Sequence, residues 1–356
     1  MRGAGILPAS RIHRPAGPIH PARWGRTLLL ALCAVAGLGP LGCGREPAPT
    51  RVEYSVIESL DPWSALGGYP WGAAVRPGGA GPGEVWVAVA GIDRHLTRLS
   101  AAGAFLGTIH LPTDSTQHVG QLCSTDSTLW VTQLTSLTSG SLFIASTSGQ
   151  VLKTIQLGEG YRAEGIACSQ GRIYVSELAA LATSGPQRCH VKVFGSDGTL
   201  LGVFGNTGPD ALSLNRGLAA RDSSIYVCNG SEVRVYRPDG RLVARWGPGA
   251  AVPPGGWWEP TDVGLTPEGH LLVVDGAARA VEEFTPDGTY ISRCDASASG
   301  NTLFAPQSVA CQADGHGGAY VYVTGVTDGM GMFYILRREV VPAKGAPGLL
   351  RPEAGR

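Results

Sequence analysis

The sequence predicts an all-β protein, a six-bladed β-propeller with four antiparallel strands in each blade. Three observations lead to this prediction. A short apolar strand recurs six times at intervals of 44 to 52 residues. A strand-only repeat of this length is typical of propellers and solenoids. Further strands that end in Gly turns bring the number of strands in each repeat to four. The sixth repeat is incomplete, and an additional strand precedes the first repeat. The recurring strands are centred on Trp86, Trp130, Tyr174, Tyr226, Leu272 and Tyr322.

Hairpins connect the strands within each repeat. Asp197-Gly198, Asp239-Gly240 and Asp287-Gly288 each separate two apolar strands. Gly adopts the positive φ that tight hairpin turns require, so these pairs favour turns. A short apolar strand also precedes each recurring strand, as in Glu164–Cys168 and Gln307–Cys311. Four strands per repeat are the composition of a propeller blade.

The sixth repeat lacks an outer strand, because the chain after Leu336 continues into a Pro- and Gly-rich tail. A strand-like segment, Val52–Ile57, precedes the first repeat. We expect it to become the fourth strand of the sixth blade, which would close the ring and remove an exposed sheet edge. The alternative is that Val52–Ile57 is only a linker strand.

One propeller domain is expected over residues 52–341, because each blade needs its neighbours to bury its faces. Residues 342–356 are expected to form a disordered tail. A hydrophobic content of 43% with 16% charged residues is typical of an ordered globular protein. The net charge is zero and no Lys/Arg cluster follows the N-terminal segment, so a nucleic-acid partner is not expected. We expect a monomer.

The N-terminal segment, residues 1–42, is predicted to be a signal peptide. A basic region precedes an apolar run, Thr27–Gly39, that is too short to span a bilayer comfortably. Cleavage after Ala36 would leave seven cysteines, whereas cleavage before Cys43 with acylation of Cys43 leaves six. An even number in an exported chain favours the second site. Residues 43–51 would then be a lipidated Cys43 and a tether.

The lipid on Cys43 would be the contact with a membrane. Gly44 follows Cys43, where Asp would indicate retention in the inner membrane. We therefore expect an exported protein of the cell envelope that is anchored in the outer membrane.

Six cysteines remain after that cleavage, and disulfides are expected among them. Cys123 with Cys168, and Cys189 with Cys228, would each join neighbouring blades. Cys294 and Cys311 would then lie on opposite faces of the ring. The alternative is that some of the cysteines are free and buried. The candidates are Cys123, Cys168, Cys189, Cys228, Cys294 and Cys311.

The repeat resembles the NHL repeat of bacterial and eukaryotic propellers. The third unit is similar to the family pattern in Glu164–Ala167, Gly171, Ile173–Val175, Val191–Phe194 and Asp197-Gly198. The resemblance covers nearly the whole chain after the N-terminal segment. It implies a six-bladed propeller of the NHL or TolB-like kind, similar to bacterial propeller lipoproteins. It leaves the function open, since one fold hosts many functions.

In this architecture the starts of the inner strands surround the mouth of the central channel. The residues expected there are Trp71, Val119, Glu164, Arg216, Asp262 and Gln307. Trp257 lies in a connection expected on the same face, and exposed aromatic side chains there could hold a peptide or a sugar. The alternative for the charged residues is that Arg216 pairs with one of the acids and seals the channel.

The leading hypothesis is a non-catalytic binding module, without a cofactor, for a protein, peptide or glycan. Its candidate site residues are Trp71, Glu164, Arg216, Asp262, Gln307 and Trp257. The alternative is a calcium-dependent hydrolase similar to the gluconolactonase family, which the resemblance of a few channel residues implies. Glu164, Asn215 and Asp262 would then supply oxygen ligands for the cation.

Overall fold

The structure is a computed structural model, and the residues it describes lie in one compact unit, Ala48–Arg356. They form 24 strands in six four-stranded sheets, with no helix among them. Within this part of the chain, therefore, no helix has the length and apolar character that crossing a membrane requires. The described residues are 50–60, 66, 68–76, 82–90, 94–112, 118–136, 139–179, 189–247, 259–294, 303, 305–327 and 330–342.

Each sheet is one blade, and its strands follow the chain from the channel outward, apart from β1 (Thr50–Leu60). Blade 1 is β2 (Tyr69–Arg76), β3 (Glu84–Ala90), β4 (His95–Leu99) and β5 (Phe105–His110). Blade 2 is β6 (His118–Ser124), β7 (Thr128–Ser136), β8 (Ser139–Ser146) and β9 (Val151–Gln156). Blade 3 is β10 (Tyr161–Ser169), β11 (Arg172–Ala179), β12 (His190–Gly195) and β13 (Leu200–Phe204).

The other three blades follow in the same way. Blade 4 is β14 (Asn215–Arg221), β15 (Ser224–Asn229), β16 (Glu232–Tyr236) and β17 (Leu242–Trp246). Blade 5 is β18 (Pro260–Leu265), β19 (Leu271–Asp275), β20 (Ala280–Phe284) and β21 (Tyr290–Cys294). Blade 6 is β22 (Pro306–Ala313), β23 (Ala319–Thr327), β24 (Met330–Pro342) and β1. The predicted six-bladed propeller is confirmed.

The ring is closed by the strand that precedes the first blade. β1 pairs antiparallel with β24, from Thr50 opposite Pro342 to Leu60 opposite Phe333. The prediction that Val52–Ile57 completes the sixth blade is therefore confirmed. β24 also extends beyond β23, whose first residue, Ala319, pairs with Arg338. The last four residues of β24 consequently pair only with β1, and we call this pair of segments, 50–53 and 339–342, the terminal ribbon.

A buried polar cluster, which we call the latch, joins the closing strands to blade 5. Its centre is Glu283 on β20, which is fully buried together with Arg338 on β24. Nη2 of Arg338 lies 2.7 Å from Oε1 of Glu283, and the Tyr54 hydroxyl on β1 donates to Oε2 at 2.5 Å. Nδ1 of His270 also lies 2.8 Å from Glu283. The latch therefore adds charge-assisted hydrogen bonds to the backbone pairing of the closing strands.

Apolar clusters fill the spaces between neighbouring blades. The recurring strand of each blade supplies fully buried residues such as Trp86 and Trp130. One cluster combines residues of blades 6 and 1, including Tyr322 and Val87, so the core continues around the closed ring. Each blade thus buries its two faces against its neighbours, as a strand repeat that cannot form its own core requires.

The cysteines confirm one predicted disulfide and correct another. Cys123 on β6 is bonded to Cys168 on β10, with Cα atoms 5.9 Å apart. The predicted bond between Cys189 and Cys228 is wrong, because both cysteines are free and buried. Cys189 packs in the cluster between blades 3 and 4, whereas Cys228 packs between blades 4 and 5. Cys294 and Cys311 form no disulfide bond among the described residues either.

Candidate functional site

Each inner strand has a β-bulge near its start, and these bulges build the channel mouth. The register between the first two strands of every blade shifts there, as between Ala163 and Gly165 in blade 3. A bulge leaves a residue out of the ladder and redirects its side chain. Aligning the blades on the pairing of their second strands identifies one equivalent bulge residue in each. These are Trp71, Gly120, Glu164, Arg216, Thr261 and Gln307.

The register differs from the sequence expectation at two positions. Val119 precedes the bulge of blade 2 and is buried in the cluster between blades 1 and 2. Asp262 follows the bulge of blade 5, so it lies one residue deeper than expected and is buried. Thr261 is the equivalent bulge residue in blade 5. The bulge itself explains the difference, because nothing in the residue pattern marks which residue the ladder leaves unpaired.

The mouth pocket is a cavity of about 290 Å³ at the level of the bulges. Four predicted residues, Trp71, Glu164, Arg216 and Gln307, line it together. Sequence reasoning missed Gln121 and Arg162, which also line it. Arg162 stands two residues before Glu164 on the same strand, a spacing that could have indicated a pair on one face. The remaining walls are Leu134, Ala163, Leu178 and Leu214.

Two ion pairs neutralise the charges of the mouth pocket. Nε of Arg162 contacts Oε1 of Glu164, and Nη2 of Arg216 lies 3.0 Å from Oε1 of Glu259. Arg216 therefore pairs with Glu259, an acid that the sequence analysis did not consider. Burial raises the pKa of Glu164, although the positive charges of Arg162 and Arg216 act in the opposite direction. The two guanidinium and two carboxylate groups leave the site without a formal net charge.

Trp71 presents an exposed aromatic surface on a fixed backbone. Its residue is 39% exposed, although it lies on a strand of the propeller. The Trp71 carbonyl accepts hydrogen bonds from Oγ1 of Thr324 and Nε2 of Gln121, both at 3.3 Å. These donors belong to blades 6 and 2, so three blades hold the backbone that carries the indole. A ligand that packs against the ring therefore need not order this segment of backbone.

Below the mouth, the residues that follow the bulges form the next level of the channel. Gln121, Asp262 and Ser308 fill this level, which we call the throat, whereas the equivalent positions of the other blades are glycines. The Ser308 hydroxyl donates to Oε1 of Gln121 at 3.1 Å. Gly217 must be small, since a Cβ there would lie 1.9 Å from Oδ1 of Asp262. The throat separates the mouth pocket from the rest of the channel.

Asp262 is a buried carboxylate of the throat. Its Oδ2 accepts a hydrogen bond from the backbone N–H of Val309 at 3.0 Å. Burial raises the pKa of Asp262 to about 7, against the opposing effect of the nearby Ser308 hydroxyl and of hydrogen bonds from the backbone N–H groups of Val309 and Val263. The carboxyl group therefore changes its charge near neutral pH.

A second cavity, the lower chamber, begins under the throat and has a volume of about 210 Å³. It is lined by the inner strands, whose apolar side chains, such as those of Leu122 and Val263, pack into the clusters between blades. The disulfide Cys123–Cys168 and the thiol of Cys311 also line it. Asp262 and its two throat neighbours form the end of the chamber that faces the mouth.

The three ligands considered for calcium do not lie in one place. Glu164 lines the mouth pocket and Asp262 lines the lower chamber, while Asn215 lines neither. Asn215 is buried, and its Nδ2 donates to the carbonyl of His190 at 2.8 Å. Within the described ranges, no three His, Cys, Asp or Glu side chains form a group that could hold a metal ion. Glu164, Asn215 and Asp262 therefore do not fit a single calcium ion, which needs several oxygen ligands around it.

Several predictions concern residues outside the described ranges. Trp257, the remaining candidate of the mouth, is one of them. The signal peptide, Cys43 and residues 343–356 of the expected tail are others. All of these stay predictions. Thr50 and Arg51, expected in the tether, lie in β1, and Pro342, expected in the tail, is the last residue of β24.

Comparisons with known proteins support the fold. No family model matches the chain, and no curated protein matches it either. Virginiamycin B lyase from Staphylococcus aureus is a similar solved structure, with 12% identity, a TM-score of 0.53, and coverage of 80% of this chain and 99% of that one. The calcium-binding protein regucalcin from Agrobacterium tumefaciens is similar at 15% identity and a TM-score of 0.52, with coverage of 81% of this chain and 95% of that one. The WD40 propeller domain of Doa1 is similar at 11% identity and a TM-score of 0.50, with coverage of 80% of this chain and 97% of that one. At such low identity, these structures show a shared propeller fold alone.

Proposed function

We propose that this protein is a non-catalytic binding module that holds its ligand at the channel mouth. The observation that carries the proposal is the mouth pocket, to which five of the six blades contribute side chains. Its volume of about 290 Å³ lies just below the usual range of small-molecule pockets, about 300 to 1,000 Å³. The pocket therefore suits one small group presented by a protein, peptide or glycan.

The chemistry of the pocket favours an uncharged or zwitterionic group. The paired Arg162–Glu164 and Arg216–Glu259 leave no net charge to attract an ion. Gln121 and Gln307 offer amide donors and acceptors, and Trp71 offers an apolar ring face. A ligand with a polar edge and an apolar face would use both kinds of contact.

The experiment compares two probes, the disaccharide cellobiose and the tripeptide Ala-Ala-Ala, with the purified full-length protein. Tryptophan fluorescence and the melting temperature would report binding, since a ligand of the folded state raises the melting temperature. We expect one probe to shift both readouts and the Trp71→Ala variant to lose the shift. Phe105→Ala is the matched control, because Phe105 is 60% exposed on the outer strand β5, away from the mouth. An equal shift in Trp71→Ala, or conversion of the probe into products, would refute the proposal.

The calcium-dependent alternative has weaker support. Glu164 is held by Arg162 in the mouth pocket, whereas Asp262 is held by backbone and hydroxyl groups in the throat. The two carboxylates face different cavities, and a shared cation would have to contact both. A calcium-induced rise in melting temperature that Glu164→Ala abolishes would favour the alternative.

The location in the cell is part of the same proposal. An envelope lipoprotein anchored through Cys43 would expose the mouth to ligands. β1 begins at Thr50, which pairs with Pro342 at the end of blade 6 opposite the mouth, and this direction supports the arrangement. Metabolic labelling with a fatty-acid analogue should label the wild type and Cys311→Ser but not Cys43→Ser. Equal labelling of all three would contradict the anchor.

A further inference from the structure

The mouth pocket carries an acid and a base on neighbouring blades. Glu164 and Arg216 are the equivalent bulge residues of blades 3 and 4, and both line the pocket. The backbones that carry them are in contact, since a Cβ on Gly165 would lie 2.9 Å from the carbonyl oxygen of Arg216. The Ser176 hydroxyl of blade 3 also donates to this carbonyl at 2.5 Å. The carboxylate and the guanidinium therefore project from adjacent, mutually supported segments of backbone.

The present partners of these two groups leave them able to bind a ligand. Arg162 contacts Oε1 of Glu164, and Glu259 lies 3.0 Å from Nη2 of Arg216. A carboxylate has a second oxygen with its own lone pairs, and a guanidinium has several N–H donors. The side chains of Arg216 and Glu259 are 34% and 50% exposed, and ion pairs in contact with water are weak. A ligand carboxylate can therefore share or replace Glu259 and form a bidentate contact with Arg216.

The indole of the mouth pocket comes from the opposite side of the ring. The inner strands contact one another in ring order, from β2 through β6, β10, β14, β18 and β22 back to β2. Blade 1, which carries Trp71, therefore lies opposite blade 4, which carries Arg216. Trp71 is 39% exposed and lines the same pocket. A ligand at the centre of the mouth has the two charged groups on one side and the aromatic ring on the other.

We propose that the mouth pocket binds the head group of an α-amino acid, with its ammonium on Glu164, its carboxylate on Arg216 and its side chain toward Trp71. This inference rests on the proposed function and names the group that the pocket holds. An α-amino acid carries both charges on one carbon, so it contacts two adjacent residues of opposite charge and adds no net charge to the site. Gln307 adds an amide from blade 6 that can donate to the carboxylate or accept from the ammonium.

Other ligand classes use fewer of these groups. A neutral sugar can stack on Trp71 and bond to the amides, but it leaves Glu164 and Arg216 to their present partners. An unbranched peptide separates its ammonium and its carboxylate at two ends of the chain, so it presents only one of them to the pocket at a time. The complete head group occurs in a free amino acid and in a branched peptide that bears it on a side chain.

Calorimetric titration of the purified full-length protein with L-leucine tests the inference. N-acetyl-L-leucine lacks the ammonium and L-leucinamide lacks the carboxylate, and we expect each to bind about tenfold more weakly than L-leucine, because each loses hydrogen bonds to a charged group. Glycine should also bind more weakly, since it has no side chain to contact Trp71. γ-L-Glutamylglycine bears the head group on a peptide, and its affinity relative to L-leucine distinguishes a branched peptide from a free amino acid.

Arg216→Gln and Glu164→Gln should each weaken the binding of L-leucine by about tenfold. Arg245→Gln is the matched control, because Arg245 is exposed on the outer strand β17 of the same blade, and it should bind as the wild type does. The inference would be overturned by an unchanged affinity in Arg216→Gln, by equal binding of L-leucine and either analogue, or by no binding of L-leucine. If a variant does not fold, the comparison of L-leucine with its analogues on the wild type decides.

The failure of this inference can be distinguished from the failure of the proposed function. If cellobiose or Ala-Ala-Ala binds and Trp71→Ala abolishes that binding, while L-leucine does not bind, the head group is wrong and the binding module stands. If none of these probes binds, both are overturned. If L-leucine binds but is converted into products, the protein is an enzyme and the non-catalytic function is refuted.

Discussion

Asp262 shows how one residue sets the electrostatics of the channel. Its carboxylate is almost completely buried, yet backbone and hydroxyl donors hold it in place. Such donors stabilise the ionised form only in part, so burial dominates and the pKa rises to about 7. The folded protein therefore binds a proton at Asp262 that the unfolded chain releases at a much lower pH. The ionised residue is a cost to stability that grows as the pH rises.

The first prediction is that Asp262→Asn increases the free energy of unfolding more at pH 8 than at pH 5. The wild type has its full stability at pH values below the pKa of this carboxyl group in the unfolded chain, near 4. It loses part of that stability as the pH rises through the pKa in the folded protein, about 7. Asparagine keeps the acceptor for Val309 without the charge. We expect the gain at pH 8 to exceed that at pH 5 by about 2 to 3 kcal/mol. Urea unfolding at both pH values measures it, and a gain independent of pH would contradict the assignment.

Single residues also explain where sequence reasoning about the site stopped. Trp71, Glu164, Arg216 and Gln307 could be placed at the mouth because the repeat gives the approximate start of each inner strand. The exact residue depends on the bulge, which is why Val119 was expected one position too early. Gln121 follows the bulge in blade 2 and was missed for the same reason. Backbone pairing decides these positions, and the residue pattern is nearly the same in either register.

At the scale of elements, β1 and β24 carry the closure of the ring. Their backbone pairing is reinforced by the latch, in which Glu283 accepts hydrogen bonds from Arg338 and Tyr54. Burial by itself raises the pKa of Glu283, but the hydrogen bonds from Arg338, Tyr54 and His270 outweigh burial, and the pKa lies below its usual value. Closure could be predicted from the strand count. The latch could not, because its residues are far apart in the sequence.

The second prediction concerns the latch. Glu283→Gln should lower the free energy of unfolding by about 3 to 5 kcal/mol at pH 7, because it removes the buried charged partner of Arg338 and leaves only the contact with the exposed Glu268. Glu339→Gln is the control, since its pair with Arg337 is exposed and such pairs contribute about 0 to 1 kcal/mol. Urea unfolding compares the variants. Equal losses in both would show that the latch adds nothing beyond a surface pair.

The third prediction follows from the lowered pKa of Glu283. Because the pKa of Glu283 is lower in the folded protein, its ionised form stabilises the fold at pH values above its pKa in the unfolded chain, near 4.3. That stability is lost as the pH falls through the lower pKa of the folded protein. The wild type should therefore lose stability in acid more steeply than Glu283→Gln does. Melting temperatures between pH 3 and pH 7 measure the two slopes. Parallel curves would show that Glu283 is not the group responsible.

At the scale of the whole molecule, the blades are stabilised mainly by their neighbours. The buried clusters lie between blades, so the loss of one interface exposes apolar surface on both sides of it. Cys123–Cys168 adds a covalent link between blades 2 and 3. Their equivalent positions in adjacent blades predict this pair correctly. The predicted pair of Cys189 and Cys228 is wrong, because the cysteine count does not show which interface each side chain enters.

The fourth prediction concerns that covalent link. The bond closes a loop with a sequence separation of 45 residues, for which chain entropy predicts stabilisation of up to about 4 kcal/mol. The double variant Cys123→Ala, Cys168→Ala should therefore unfold at a lower urea concentration than the wild type. Dithiothreitol should lower the stability of the wild type and leave the double variant unchanged. A reductant effect in the double variant would point to a different target.

The register of β1 against β24 also determines how the protein would respond to force. Thr50 pairs with Pro342 in the terminal ribbon, and the strand then runs toward the end of the ring that carries the mouth. A pull at Thr50, opposed by a load on the mouth, would act along the axis of β1. The backbone hydrogen bonds to β24 would then resist together in shear, and they would not open one after another as in peeling. A ring closed in this direction resists opening under tension along the path from its N-terminal strand to the channel mouth.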